Sequence, residues 1–82
     1  MLLELISMNK FFDVLKGLEE KSVLIKLRNG LEVRGKAVMI DPVTMNVLMN
    51  DADLSNSDGF NMGHFGVLII RGDQVSLLAP LS

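Results

Sequence analysis

Residues 22–39 read Ser-Val-Leu-Ile-Lys-Leu-Arg-Asn-Gly-Leu-Glu-Val-Arg-Gly-Lys-Ala-Val-Met, and their alternation decides the fold class. Val23, Ile25 and Leu27 recur with period two, while Lys26 and Arg28 take the other side, so the segment reads as a half-buried strand. Asn29-Gly30 follows, the dipeptide that best tolerates positive φ at both centres of a type I′ hairpin turn. Leu31, Val33, Gly35, Ala37 and Met39 then form the inward face of a second strand, with Glu32, Arg34 and Lys36 outward. Gly35 stands where an inward side chain is due, as in a strand that bends sharply around a small barrel.

Downstream, Asp41-Pro42 ends this strand and Met45–Asp51 reads as a third. Residues 53–64 are polar and rich in turn formers, which predicts a variable loop. Gly66 to Ile70 is a continuous apolar run, the mark of a strand buried on both sides or at an interface. Arg71-Gly72-Asp73 interrupts it, Val75 to Leu78 forms a last strand, and Pro80 closes it. Upstream, Phe11, Phe12, Val14, Leu15 and Leu18 keep helical spacing, so residues 9–18 read as a helix with Asn9 as N-cap and Gly17 near its end. Residues 1–8 lengthen this helix or precede a start at Met8. The prediction is mainly β: one domain over residues 1–82, a helix and then a five-stranded, strongly bent antiparallel small barrel over residues 22–80.

Composition limits the function. Apolar residues make up 49% of the 82, more than so short a chain buries alone, which favours an oligomer. The absence of cysteine removes disulfides and cysteine–zinc sites. A single histidine, His64, makes no zinc centre of the usual kind, and it is expected in a loop or at a strand start. No phosphate-binding glycine loop and no nucleophile–base–acid arrangement occurs, so neither an enzyme nor a cofactor or small-molecule substrate is expected. No run approaches a membrane span. Net charge is −2 and the isoelectric point about 5.1, so any nucleic-acid site must be local. Lys26, Arg28, Arg34 and Lys36, with Glu32 between them, read as a solvated strand face. Met39, Met45 and Met49 fit core or interface filling.

The residues from 9 to 79 resemble the Sm/LSm family. One motif spans Val23 to Gly30, Val33-Arg34-Gly35, Asp41, Met45-Asn46 and Met49 to Ala52. The second is Gly66-Val67-Leu68-Ile69-Ile70-Arg71-Gly72-Asp73 with Val75. The resemblance implies rings of six or seven subunits, with a homo-oligomer favoured and five or eight also open. It further implies single-stranded, U-rich RNA at the pore, in RNA processing or chaperoning. The expected contacts are Asn46, Arg71, Gly72 and Asp73, with Thr44, Met45 and Asp41 beside them. Asn46 would read a uracil edge, and its alternative is to order the loop. Arg71 would line the pore, and its alternative is an ion pair with Asp73 or Asp41. Asp41 would orient Asn46.

Ring closure would pair the strand at Val67, Ile69 and Ile70 with a neighbour's last strand at Val75 and Leu77. The setting is intracellular: cytoplasmic in a prokaryote or phage, nuclear or cytoplasmic in a eukaryote. The chain departs from the family by placing four residues, not three, between Asp41 and Asn46, with Thr44 at the position of a stacking side chain. A ring-forming protein scaffold with a lost or altered RNA site is therefore the second reading. A monomeric SH3-like peptide binder would need aromatic residues, and the chain has no Tyr or Trp.

Overall fold

The computed structural model describes residues 2–81, with side chains from Lys10 onward. One helix, α1 (Leu2–Leu18), precedes five strands: β1 (Lys21–Leu27), β2 (Glu32–Ile40), β3 (Val47–Ser55), β4 (Asn61–Ile70) and β5 (Val75–Pro80). They form one antiparallel sheet in the order β4-β3-β2-β1-β5. The strands bend around a core of Val23, Ile25, Val33, Ala37, Ile40, Val47, Met49, Ala52 and Ile70. Leu15 of α1 lids that core.

The helix does not start at Asn9. It runs through that residue, because Leu2, Leu3, Glu4 and Leu5 are strong helix formers and a capping side chain acts only where the preceding backbone is non-helical. Gly17 lies one residue before its end at Leu18. The stop is Glu20 at φ 67°, whose N–H donates to Ala37 O at 2.6 Å and turns the chain into β1.

The hairpin after β1 is likewise not a type I′ turn. Gly30 has φ 88° but Asn29 stays at negative φ. Leu27 N–H reaches Leu31 O at 2.9 Å and Gly30 N–H reaches Leu27 O at 3.1 Å, which closes a three-residue loop with glycine in the left-handed position. Asn29 serves through its side chain, whose Oδ1 accepts from Leu31 N–H at 3.1 Å.

Bulges set the faces of β2. Arg34 pairs with Asp53 and Lys36 with Asn50, so Gly35 alone faces the pair Asp51-Ala52, with Asp51 at φ 49°. A Cβ on Gly35 would lie 2.9 Å from Ala52 Cα, so the close approach that makes the bend requires glycine. A second shift between Ala37 and Met39 reverses the alternation. Ile40 therefore enters the core and Met39, expected inward, is 60% exposed. The third strand begins at Val47, not Met45, because Met45 has φ 62°.

The predicted loop over 53–64 is mostly strand. β3 continues to Ser55 and β4 starts at Asn61, leaving a tight turn in which Asn56 Oδ1 accepts from Asp58 and Phe60 N–H, each at 3.0 Å. Polar composition misled there, since both strands face water on their outer side. His64 is a strand residue, and its Nδ1 lies 2.8 Å from Asp53 Oδ1 across the β3–β4 ladder.

Candidate nucleic-acid interface

Two loops meet at one end of the sheet. The β2–β3 loop is braced by its ends: Asp41 N–H donates to Asn46 O at 2.9 Å and Met45 N–H to Asp41 O at 2.7 Å. Asp41 Oδ1 accepts from Val43 N–H at 2.9 Å, and Thr44 Oγ1 accepts from Asn46 N–H at 3.2 Å. The second loop is Arg71 followed by a 3-10 turn, Gly72–Gln74, closed by Gln74 N–H to Arg71 O at 3.0 Å.

One hydrogen bond joins them. Asn46 Oδ1 accepts from Gly72 N–H at 2.8 Å, across 26 residues of sequence. Because an N–H can only donate, it fixes which end of the Asn46 carboxamide is oxygen. The amide NH2 is thus the free end. Asn46 does order the loop, and it still offers two donors outward. Gly72 packs so closely on the Thr44 carbonyl that a side chain has no room.

Arg71 stands outside this contact with its side chain 79% exposed. Its Nη2 lies 3.6 Å from Asp73 Oδ2, a loose surface pair of the kind that contributes at most about 1 kcal/mol and yields readily to a ligand. Asp41 is not its partner in this geometry. Met45 is turned away from the loop surface. It lines an apolar groove of about 350 Å³ with Phe11, Val14, Leu18, Leu77 and Leu78, between α1 and β5.

The Asp41 carboxyl is held below the ordinary aspartate range, first by the Val43 N–H and then by the Thr44 hydroxyl, against a small opposing effect of burial. A depressed pKa means that the ionised form holds the folded loop. Its contribution is present above about pH 4, the unfolded value, and is lost as pH falls through the lower folded one. Asp41→Ala should therefore melt below the wild type at pH 7, and the gap should close under about pH 4. Thermal melts across pH check this, and a gap independent of pH would refute it.

Three of the four outer basic residues lie beside carboxylates, and Arg28 has no ion pair among the described residues. Lys26 Nζ and Arg34 Nη1 each lie 3.4 Å from a Glu32 carboxylate oxygen, and Lys36 Nζ lies 2.8 Å from Glu20 Oε2. Among the described residues no cluster of His, Cys, Asp or Glu could hold a metal, and no helix is long and apolar enough to cross a membrane.

β4 and β5 are the sheet's edges. On β4, Val67 and Ile69 are 65% and 68% exposed, whereas Ile70, expected at the seam, is 5% exposed and belongs to the protomer's own core. A seam there could use only its backbone. On β5, Leu77 is exposed and Val75 half-buried. Among the described residues Val43 is the most exposed large hydrophobic, and a single Val in a loop carries no periodic signal in the sequence.

Comparison with known proteins agrees with this architecture. The LSM domain model matches residues 13–80. The snRNP Sm-like protein of Thermococcus kodakarensis is 39% identical over 69 residues, covering 84% of this chain and 88% of that one. An Sm protein of Pyrococcus abyssi, solved in complex with a uridine heptamer, superposes with a TM-score of 0.78 at 35% identity, over 84% of this chain and 94% of that one. A heptameric archaeal Sm protein superposes with a TM-score of 0.76 at 31% identity, over 85% and 98%. With its helix, its bent five-stranded sheet and both motif loops joined at one end, the chain belongs to the LSM (Sm-like) family.

Proposed function

We propose that the protein is a subunit of a closed homo-oligomeric ring that binds single-stranded, U-rich RNA at the pore, as a non-enzymatic scaffold for RNA processing or chaperoning inside the cell. The carrying observation is the Asn46–Gly72 hydrogen bond, which ties the loop of Asn46 to the loop that holds Arg71 and Asp73 and supports reading them as one site. Donors left free on Asn46 suit carbonyl oxygens. Uracil carries them at O2 and O4, cytosine at O2 alone, and adenine has none. Exposed Arg71 supplies charge and a flat guanidinium for a base or phosphate. Repeated around a ring, it would give local positive potential despite the acidic total. The structures of relatives bound to a uridine heptamer or assembled as a heptamer support both parts. So do the two unpaired apolar edges, which a neighbour's strand would satisfy.

Fluorescence anisotropy with labelled oligo(U), oligo(C) and oligo(A) tests this at two salt concentrations. Oligo(U) should bind tightest and oligo(A) weakest, and Arg71→Ala should lower oligo(U) affinity on the order of a hundredfold as losses add around the ring. A well-folded protein that binds none of the three would favour the protein-scaffold reading. The observation behind that second reading is the Thr44 hydroxyl, which is spent inside the loop rather than offered to a ligand.

A further inference from the structure

Apolar surface flanks the sheet at both ends of its strand order. Beside the edge strand β5 runs the groove of about 350 Å³ beneath α1. Phe11 and Val14 of α1 and Leu77 of β5 line it, and all three are open to water. No charged residue lines it among the described residues, so it offers nothing to an RNA phosphate. At the opposite edge, Ile69 of β4, Leu48 of β3 and Met39 of β2 stand directly across from one another in the ladder and share a shallower groove of about 190 Å³. Val67 and Ile69 lie two residues apart on β4, so both project from the same face of that strand, and both are exposed. One edge thus carries an apolar ridge and the other an apolar groove. A head-to-tail contact between copies joins two different surfaces of this kind, and repeating it closes a ring.

We propose that the groove beneath α1 receives Val67 and Ile69 from β4 of a neighbouring copy, so that the helix is part of the ring seam; the inference rests on the ring reading above. A strand paired to the free edge of β5 lies about 4.8 Å beyond it, alongside the groove. Backbone hydrogen bonds hold such a strand, but any edge strand can make them. The groove that takes its alternate side chains decides which strand is accepted and in which register. Seating β4 there removes Phe11, Val14, Leu77, Val67 and Ile69 from water together. That surface is the excess apolar area which a chain of this size cannot bury alone. The helix therefore has two faces at work: Leu15 closes its own barrel, and Phe11 with Val14 grips the next subunit.

Native mass spectrometry of the full chain tests this on wild type, Val14→Lys, Ile69→Asp and the two together. Val14 is 62% exposed, so lysine there leaves the protomer folded, which circular dichroism checks. Wild type should appear as one closed multiple of the subunit. Each single variant should lose that multiple at micromolar concentration, since every contact would then bury an unpaired charge. The double variant should regain it, because the introduced ammonium of one subunit meets the introduced carboxylate of the next. The chain has no cysteine, so Val14→Cys combined with Ile69→Cys gives a second reading: oxidation should produce a covalent ladder of subunits on a non-reducing gel. If Val14→Lys keeps the ring that Ile69→Asp loses, the seam runs along β4 and β5 without the helix; the inference is overturned and the ring reading stands. A double variant that stays monomeric, with no ladder from the cysteine pair, overturns it as well. If wild type is a monomer, the ring reading fails and the inference with it.

Discussion

Replacing Gly72 with alanine is expected to part the two loops and remove both stability and RNA affinity. A Cβ at this position would lie far inside van der Waals contact distance of the Thr44 carbonyl oxygen and 2.7 Å from the carbonyl carbons of Thr44 and Met45. These are backbone atoms of a loop closed by four hydrogen bonds, so they cannot swing aside as a side-chain tip would. The backbone conformation at Gly72 is not what demands glycine; the space is. Relief requires moving Gly72 away, which breaks its N–H bond to Asn46 Oδ1 and leaves the Asn46 carboxamide free to rotate. Overpacking of this severity costs about 3 kcal/mol or more, which for a domain this small lowers Tm on the order of 10–20 °C. Oligo(U) affinity should fall further than the loss of fold explains at temperatures well below the melt, because the Asn46 donors proposed to read a base lose their direction. Gly17 provides the contrast. A Cβ there meets nothing within 4 Å, and alanine in a helix is favoured over glycine by about 1 kcal/mol. Gly17→Ala should melt at the wild-type temperature or a few degrees above it. Equal melts and equal oligo(U) affinities for Gly72→Ala and wild type would show that the loops part without cost, and the site would have to be placed elsewhere.

Ile69→Asp should convert the ring to monomers while leaving the protomer folded. Ile69 projects from the edge strand β4 into water in the isolated chain, so aspartate there costs the protomer little. Paired with a neighbour's β5 and Leu77, the same carboxylate would be taken out of water without a partner. Uncompensated charge at such a seam costs about 3–5 kcal/mol, a factor on the order of 10²–10⁴ in each contact. An inward-pointing charge is also how natural sheets keep their edges from pairing. Native mass spectrometry reads the outcome directly: a closed multiple of the subunit for wild type, and one subunit mass for the variant at micromolar concentration. Circular dichroism of the same sample separates dissociation from unfolding. An intact ring carrying Ile69→Asp would move the seam off β4.

Period-two alternation was legible wherever a strand had one wet face and one dry one. Val23 and Ile25 on β1 and Val33 and Ala37 on β2 are fully buried, as their spacing demanded. The reading failed where geometry departs from that regular period. One extra residue at the Ala37–Met39 bulge exchanged Ile40 for Met39, and no local pattern announces a bulge, because the partner strand decides which residue is left unpaired. The turn after β3 was hidden for a similar reason. Asp53 and His64 look like loop residues until the β3–β4 ladder pairs them.

The sequence by itself determined the class of fold, the order of its elements and the two motifs that flank the site. The class and order follow from local properties, the hydrophobic period, a turn at Asn29-Gly30 and a glycine at position 35, whereas the two motifs follow from the resemblance to a family. Only the tertiary structure decided what the site residues do. Asn46 and Gly72 lie 26 residues apart, and their hydrogen bond exists because the sheet brings the ends of two hairpins together. The same meeting commits the Asn46 oxygen, crowds Gly72 against the Thr44 carbonyl and turns Met45 under α1. It leaves Val43 exposed as well. A residue type states which hydrogen bonds are available. Which of them are already satisfied depends on neighbours distant in the chain, and that remainder is what a ligand can use.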